Sequence, residues 1–185
     1  MTAHRRLGLL ALVGVALASP ACADPFTDAQ TGISLDPPPG YQVSRKKWLI
    51  IPTRDLLVER LSKRDAECTI SFEERARVGL TVQELNRRLA GPEYKEALRE
   101  SLGRLFNVTS LETEEVSGLI GSIVVLEVNA WLTRLLPLIP KEILMMGIIV
   151  SPKGIATVTC AAAKGTFEDR KGEFEAIIRS VVAPR

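Results

Sequence analysis

The chain carries one histidine, His4, and three cysteines, Cys22, Cys68 and Cys160. Histidine is the usual general base for a serine or cysteine nucleophile and the commonest transition-metal ligand. Because His4 lies inside what reads below as a removable leader, the rest of the chain has no Ser-His-Asp or Cys-His arrangement to offer. Carboxylate and lysine chemistry stays open. Glu112, Glu114 and Glu115 form one acidic cluster and Glu73-Glu74 another, and paired carboxylates bind calcium or act as acid and base. Glu112 and Glu114, however, alternate as a wet strand face does, and no Asp-x-Asp-x-Asp-Gly loop is present. Lys153-Gly154 and Lys164-Gly165 lack the Gly-x-x-x-x-Gly-Lys frame that cradles phosphate. Asn107-Val108-Thr109 matches a glycosylation sequon by spacing alone. The expectation is therefore no catalytic residue, no metal site and no cofactor.

The first 23 residues decide what the others can mean. His4-Arg5-Arg6 give a positive start, Leu7 to Ala18 an apolar run, and Ala21-Cys22-Ala23 a small-x-small cleavage site before Asp24. That is the layout of a secretory signal peptide, with an apolar run well short of the ~20 residues that span a bilayer. Lipidation at Cys22 is disfavoured because Ser19-Pro20-Ala21 lacks a large aliphatic residue. A twin-arginine reading of Arg5-Arg6 is disfavoured by its flanks. The expected organisation is a signal peptide over 1–23 and a single domain over 24–185, in the periplasm or secreted. Cleavage leaves 162 residues, enough for one domain with a real core. It also removes two arginines and no acid, so the formal charge of +2 belongs to the leader and the mature chain is neutral. A neutral domain has no general attraction for nucleic acid or anionic lipid.

With Cys22 gone, Cys68 and Cys160 are two cysteines in an oxidising compartment, which reads first as a disulfide. Strand alternation puts both inward. Cys68 shares a face with Ile70 and Phe72, and Cys160 shares one with Ala156, Val158 and Ala162. No Cys-x-x-Cys redox motif is present.

The elements that must position these residues can be read in order. Thr31 to Leu35 reads as a short strand stopped by Asp36-Pro37-Pro38-Pro39-Gly40, after which Tyr41 to Val43 resumes. Trp48 to Ile51 and Leu56 to Leu61 are apolar runs. Ser62 to Ala66, followed by the Cys68 strand, makes the second of them one arm of a hairpin. Thr81-Val82-Gln83-Glu84 spells a capping box, with Val82, Leu85 and Leu89 on one helical face. Gly91-Pro92 breaks that helix, and Tyr94, Ala97, Leu98, Leu102 and Leu105 continue the stripe to about Phe106. Thr109 to Val116 and Leu119 to Ala130 read as strands around Ser117-Gly118. Lys141 to Val150 and Ile155 to Ala163 form another pair joined by the four-residue loop 151–154. Thr166 caps a last helix whose buried stripe is Phe167, Phe174, Ile177, Ile178 and Val181. Strands, helix, strands, helix imply an α+β fold, an antiparallel sheet flanked by two main helices.

Three stretches carry a family likeness: Thr31-Gly32-Ile33-Ser34-Leu35-x-Pro37-Pro38-Pro39-Gly40-Tyr41, then Glu84-Leu85-Asn86 with Tyr94, then Val158-Thr159-Cys160 followed by Phe174-Glu175. With this element order they resemble the PsbP-like α/β/α sandwich of the extrinsic photosystem II subunit and, more closely, uncharacterised exported proteins of proteobacteria. The resemblance implies the fold over nearly all of the mature chain. The manganese chemistry of photosystem II has no matching ligand set here, so no site residue is carried over.

One segment is unlike a core element. Trp131-Leu132-Thr133-Arg134-Leu135-Leu136-Pro137-Leu138-Ile139-Pro140 is almost wholly apolar, yet two prolines bar a regular strand or helix through it. Either it folds back over an open end of the sheet, or it presents an apolar patch to a partner, a ligand or a membrane surface. Trp131, Leu135, Leu136, Leu138 and Ile139 are the candidate interaction surface. Pro137, Pro140, Lys141 and Glu142 interrupt the apolar stretch running on to Val150 before it reaches spanning length, so no transmembrane segment is expected after signal cleavage. The reading is a periplasmic binding or accessory protein that meets an envelope protein or an apolar ligand, with no nucleic acid among its partners. Two other classes stand beside it: a histidine-independent enzyme using carboxylates or lysine, and a structural envelope component.

Overall fold

The computed structural model describes residues 25–48, 51–62, 66–75, 80–129 and 142–185. The leader and the 131–140 segment lie outside them. A seven-stranded antiparallel sheet dominates, built from two meanders. The first is β3 (Tyr41–Trp48), β4 (Ile51–Arg60) and β5 (Ala66–Glu74). The second is β6 (Phe106–Val116), β7 (Leu119–Val128), β8 (Glu142–Ser151) and β9 (Gly154–Ala163). Helices α1 (Val82–Leu89) and α2 (Pro92–Gly103) cross between them, and α3 (Phe167–Ser180) closes the chain. The strand order β3-β4-β5-β9-β8-β7-β6 makes the β5–β9 ladder the seam where the two meanders meet. A two-stranded hairpin, β1 (Phe26–Thr27) with β2 (Ser34–Leu35), is tied to the C-terminal tail by a bridge between Ser34 and Val182.

Cys68 stands opposite Cys160 in that seam, and the two are disulfide-bonded across 92 positions. Both are buried. The alternation read from the sequence holds: Cys68, Ile70, Ala156, Val158 and Ala162 join Phe174, Ile177 and Ile178 in one core under α3. Strand β8 makes room for α3 through Gly147, where a Cβ would lie 2.5 Å from Ile178 Cγ2. The opposite face packs Leu85 and Leu89 of α1 against Ile120, Ile148, Val150 and Ile155. Asn86 fastens α1 to the β6–β7 turn: its Nδ2 donates to the Gly118 carbonyl at 3.1 Å, and its Oδ1 accepts from the Ile120 amide at 2.9 Å. Edge strand β6 carries a bulge at Thr109, a device that twists an open edge away from further pairing, and the ladder between edge strand β3 and β4 shifts register with its extra residues, 53–55, on β4.

Several local expectations need correcting. The second helix stops at Gly103 rather than near Phe106, which opens β6. None of its residues is fully buried, and Leu105 is 50% exposed. Thr81 caps as expected, accepting from the Glu84 amide at 3.2 Å, but Glu84 turns to Arg88 at 3.1 Å. An i,i+4 cation competes for that carboxylate. Thr166 occupies the cap position of α3, yet its hydroxyl donates to the Ala163 carbonyl and no side-chain cap forms. The 151–154 loop is tighter than read, since Ser151 pairs with Gly154 and only Pro152-Lys153 turn.

Candidate functional site

Three strand ends, the N-terminal hairpin and the C-terminal tail enclose a groove of about 260 Å³. One rim is made by the loop between β1 and β2. Asp28 organises that loop: its carboxylate accepts from the Thr31 amide at 2.9 Å and from the Thr31 hydroxyl at 2.6 Å, and its carbonyl accepts from the Gly32 amide at 2.8 Å. Arg45 of β3 pairs with the same carboxylate and donates to Gln30 Oε1 at 2.6 Å. Burial alone would push the Asp28 carboxyl up, but the two Thr31 bonds and the Arg45 charge together hold it below the usual carboxylate range. The rim presented by Gln30, Thr31 and Gly32 is thus fixed from below.

The facing wall comes from the sheet. Phe72 and Glu74 continue the inward set of β5 beyond Cys68 and Ile70, and Arg54 enters from the stretch of β4 between Pro52 and Leu56 where the register with β3 shifts. Lys153 enters from the β8–β9 turn, pinned where its carbonyl accepts from the Arg75 amide at 3.0 Å. Gly154 lets that turn lie flat on β5, because a Cβ there would come 2.3 Å from the Glu73 carbonyl oxygen. Pro184 closes the groove from the tail. Among the described residues, Arg54, Glu74 and Lys153 have no ion-pair or side-chain hydrogen-bond partner. Three charged groups of both signs line one cavity without neutralising one another.

The other buried polar cluster holds the fold together. The Tyr41 hydroxyl of β3 donates to Glu173 of α3, Arg170 donates to Glu173 Oε2 at 2.8 Å, and Arg60 Nη1 lies 3.9 Å from Oε1. Burial, together with the hydrogen bond to the Glu173 carboxylate and its negative charge, pushes the Tyr41 hydroxyl well above the usual phenol value. This network locks α3 onto the β3–β4 edge. The acidic clusters of the sequence are dispersed in the same way: Glu114 pairs with Arg179 at 2.8 Å, and Glu73 with Arg75 at 2.7 Å. Among the described residues, no three metal-ligating side chains gather.

The candidate surface Trp131, Leu135, Leu136, Leu138 and Ile139 lies outside the described residues. Its stem is placed, since the chain leaves β7 at Asn129, whose amide donates to the Leu105 carbonyl at 3.4 Å, and returns at Glu142. Of the groove residues, Thr31, Gly32, Phe72, Glu74 and Lys153 stood in elements or motifs read from the sequence, none of them for this cavity, and Gln30 and Arg54 in none. A usable signal was there: Arg54 and Glu74 are charges placed where an apolar alternation should continue.

No protein-family model matches the chain, and no curated protein matches it in sequence. Solved structures do. The solution structure of cyanobacterial PsbP (CyanoP) from Synechocystis sp. PCC 6803 superposes with a TM-score of 0.54 at 14% identity, over 96% of this chain and 99% of that one. A point mutant of the protein Mog1 superposes with a TM-score of 0.50 at 10% identity, over 86% and 95%. The Ran-binding protein Mog1p of Saccharomyces cerevisiae gives 0.49 at 10% identity, over 86% and 94%. At such identities the likeness speaks for architecture alone, and that architecture, among the described residues a seven-stranded antiparallel sheet with three helices, is a PsbP-like α+β fold.

Proposed function

We propose that the protein is an exported binding protein, not an enzyme, and that the groove between the β1–β2 loop and the ends of β4, β5 and β8–β9 receives its ligand. One observation carries this reading: Arg54, Glu74 and Lys153 converge on a concave space of about 260 Å³ with no partner among the described residues. That volume is just under the usual range of small-molecule sites, so it suits a metabolite-sized group. Catalysis is poorly supported by the same groups. The one hydroxyl–carboxylate pair there is Thr31 with Asp28, and a carboxylate held below its ordinary range and paired with Arg45 is a poor base. The pair is better read as a turn that stiffens the rim.

Export rests on the leader, and the buried disulfide suits an oxidising compartment. Intact mass of the exported protein should correspond to residues 24–185, and a lipid-modified Cys22 at its N-terminus would refute the cleavage site. The binding reading is tested by a thermal-shift screen of metabolites against wild type and Thr31→Trp, which fills the groove from its rim. Compounds that stabilise only wild type support the groove; stabilisation that persists in Thr31→Trp, or none at all, refutes it. The 131–140 segment stays a second proposed contact surface, for a protein partner, on the strength of its apolar residues.

A further inference from the structure

Resting on that groove as the binding site, we infer that its ligand is a small anion, a carboxylate- or phosphate-bearing molecule that also offers a hydrogen-bond donor.

Most of the surrounding charges are already paired. The nearest acid of the N-terminal rim, Asp28, is spent on Arg45 and Thr31. Glu73, beside the groove, is engaged by Arg75. Arg60, Arg88, Lys164 and Arg179 all have carboxylate partners within 4 Å. Against that pattern Arg54 and Lys153 face one cavity from two walls, with Glu74 the single acid there. The groove thus holds an excess of one positive charge in a chain whose mature form is neutral. Arg54 and Lys153 are solvent-exposed, but two cations facing one concavity focus a positive potential there that an anion meets from both walls.

The remaining lining says what the anion is attached to. Phe72 and Pro184 offer apolar area for a short hydrocarbon skeleton, and Glu74 accepts from a hydroxyl or ammonium on it. The two cations differ usefully: an arginine presents a planar fork to a carboxylate or phosphate, whereas a lysine supplies a mobile point charge. Lys153 sits on a turn held to β5 by its carbonyl, and Arg54 in β4 at the register shift against β3.

The test uses L-malate and inorganic phosphate as probes, putrescine as the oppositely charged control, and phosphatidylglycerol vesicles to ask whether a lipid headgroup supplies the anion. Titrations of the mature protein are followed by amide chemical shifts and calorimetry, for wild type, Arg54→Gln, Lys153→Gln and the distant Arg99→Gln. Malate or phosphate should shift the amides of residues 30–32, 74, 153 and 154. Each groove variant should weaken binding about tenfold or more, as expected for a lost charge-assisted bond, while Arg99→Gln does nothing. Added salt should weaken it further. Vesicle binding lost in the same two variants supports the anion with a headgroup as its source. Anion binding unchanged in both groove variants overturns the inference. Putrescine shifting the groove while the anions do not overturns the ligand class and keeps the groove. No probe shifting the groove, where the thermal-shift screen also finds no ligand, overturns both.

Discussion

Removing the Cys68–Cys160 bond should destabilise the domain by about 4–5 kcal/mol. The bond closes a loop spanning 92 positions, and in the loop-entropy model a ring of that size removes roughly this much freedom from the unfolded chain. Its position adds to the case. The two meanders are sequence-distant, and the β5–β9 ladder is where they hydrogen-bond to each other. In the unfolded chain that ladder is the long-range pairing hardest to recover, and the disulfide keeps its two strands together. The clean perturbation is the double variant Cys68→Ala/Cys160→Ala, which removes the cross-link without leaving a buried hydroxyl or a lone reactive thiol. Urea unfolding followed by tryptophan fluorescence gives the stability of each form. A domain of this size has about 5–15 kcal/mol in hand, so the double variant should survive at room temperature with a much lower midpoint. Single serine variants should fare worse, because a hydroxyl buried among Ile70, Val158 and Ile177 finds no ready partner. A loss below about 1 kcal/mol in the double variant would refute the entropic argument. Two titratable thiols in denatured, unreduced, exported protein would refute the bond itself.

Single contacts elsewhere in the fold are open to the same treatment. Gly147→Ala places a methyl 2.5 Å from Ile178 Cγ2 and should cost about 1–3 kcal/mol in chemical denaturation; Ile178→Ala should lose less in that background than in wild type, and full additivity would refute the clash. Tyr41 keeps its proton in the fold to a higher pH than when unfolded, so its contribution is intact below pH ~10 and is lost as pH rises further, by up to about 1.4 kcal/mol per unit. Tyr41→Phe should flatten that alkaline decline while costing about 1–3 kcal/mol at neutral pH, and parallel pH profiles for the two proteins would rule the mechanism out. If the 131–140 segment meets a protein partner, Leu136→Asp and Leu138→Asp should abolish capture of that partner with the melting temperature nearly unchanged, whereas a loss of several kcal/mol marks those side chains as core.

The sequence displayed the sheet clearly because alternation survives wherever one face is buried. Cys68-x-Ile70 and Ala156-x-Val158-x-Cys160-x-Ala162 lie inward as read. It displayed the break at Gly91-Pro92 equally well, since proline at the first helical position opens α2. What it concealed was how residues compete for partners. Glu84 has the spacing to reach back to its cap and also the spacing to meet Arg88, and only the folded geometry decides between them. The stripe through Ala97, Leu98 and Leu102 promised a buried face, but α2 lies beside β6 at the edge of the sheet, where there is too little sheet to cover it. The groove was concealed for a different reason. Its walls come from residues near 30, 54, 72, 153 and 184, and a neighbourhood assembled from five distant stretches has no local spacing to detect.

A strand does, however, record where its inward face ceases to be core. In β4 the inward residues Val58 and Leu56 give way to Arg54 where the register with β3 shifts, and in β5 the inward residues run Cys68, Ile70, Phe72, Glu74. Helix α3 covers the apolar members of both sets, and beyond them come two solvent-exposed charges, Arg54 and Glu74, that line the groove. At these exposed positions neither charge is needed for packing, so each can be replaced to ask what else it does. The consequence can be measured. Arg54→Leu and Glu74→Leu, separately and together, should leave stability within about 0.5 kcal/mol of wild type, because neither charge has a partner among the described residues to lose. Arg54→Leu and the double variant should weaken anion binding in the groove about tenfold or more. Destabilisation beyond about 1 kcal/mol would show that the charges hold the fold, and the groove would then be a by-product of packing at the end of a sheet.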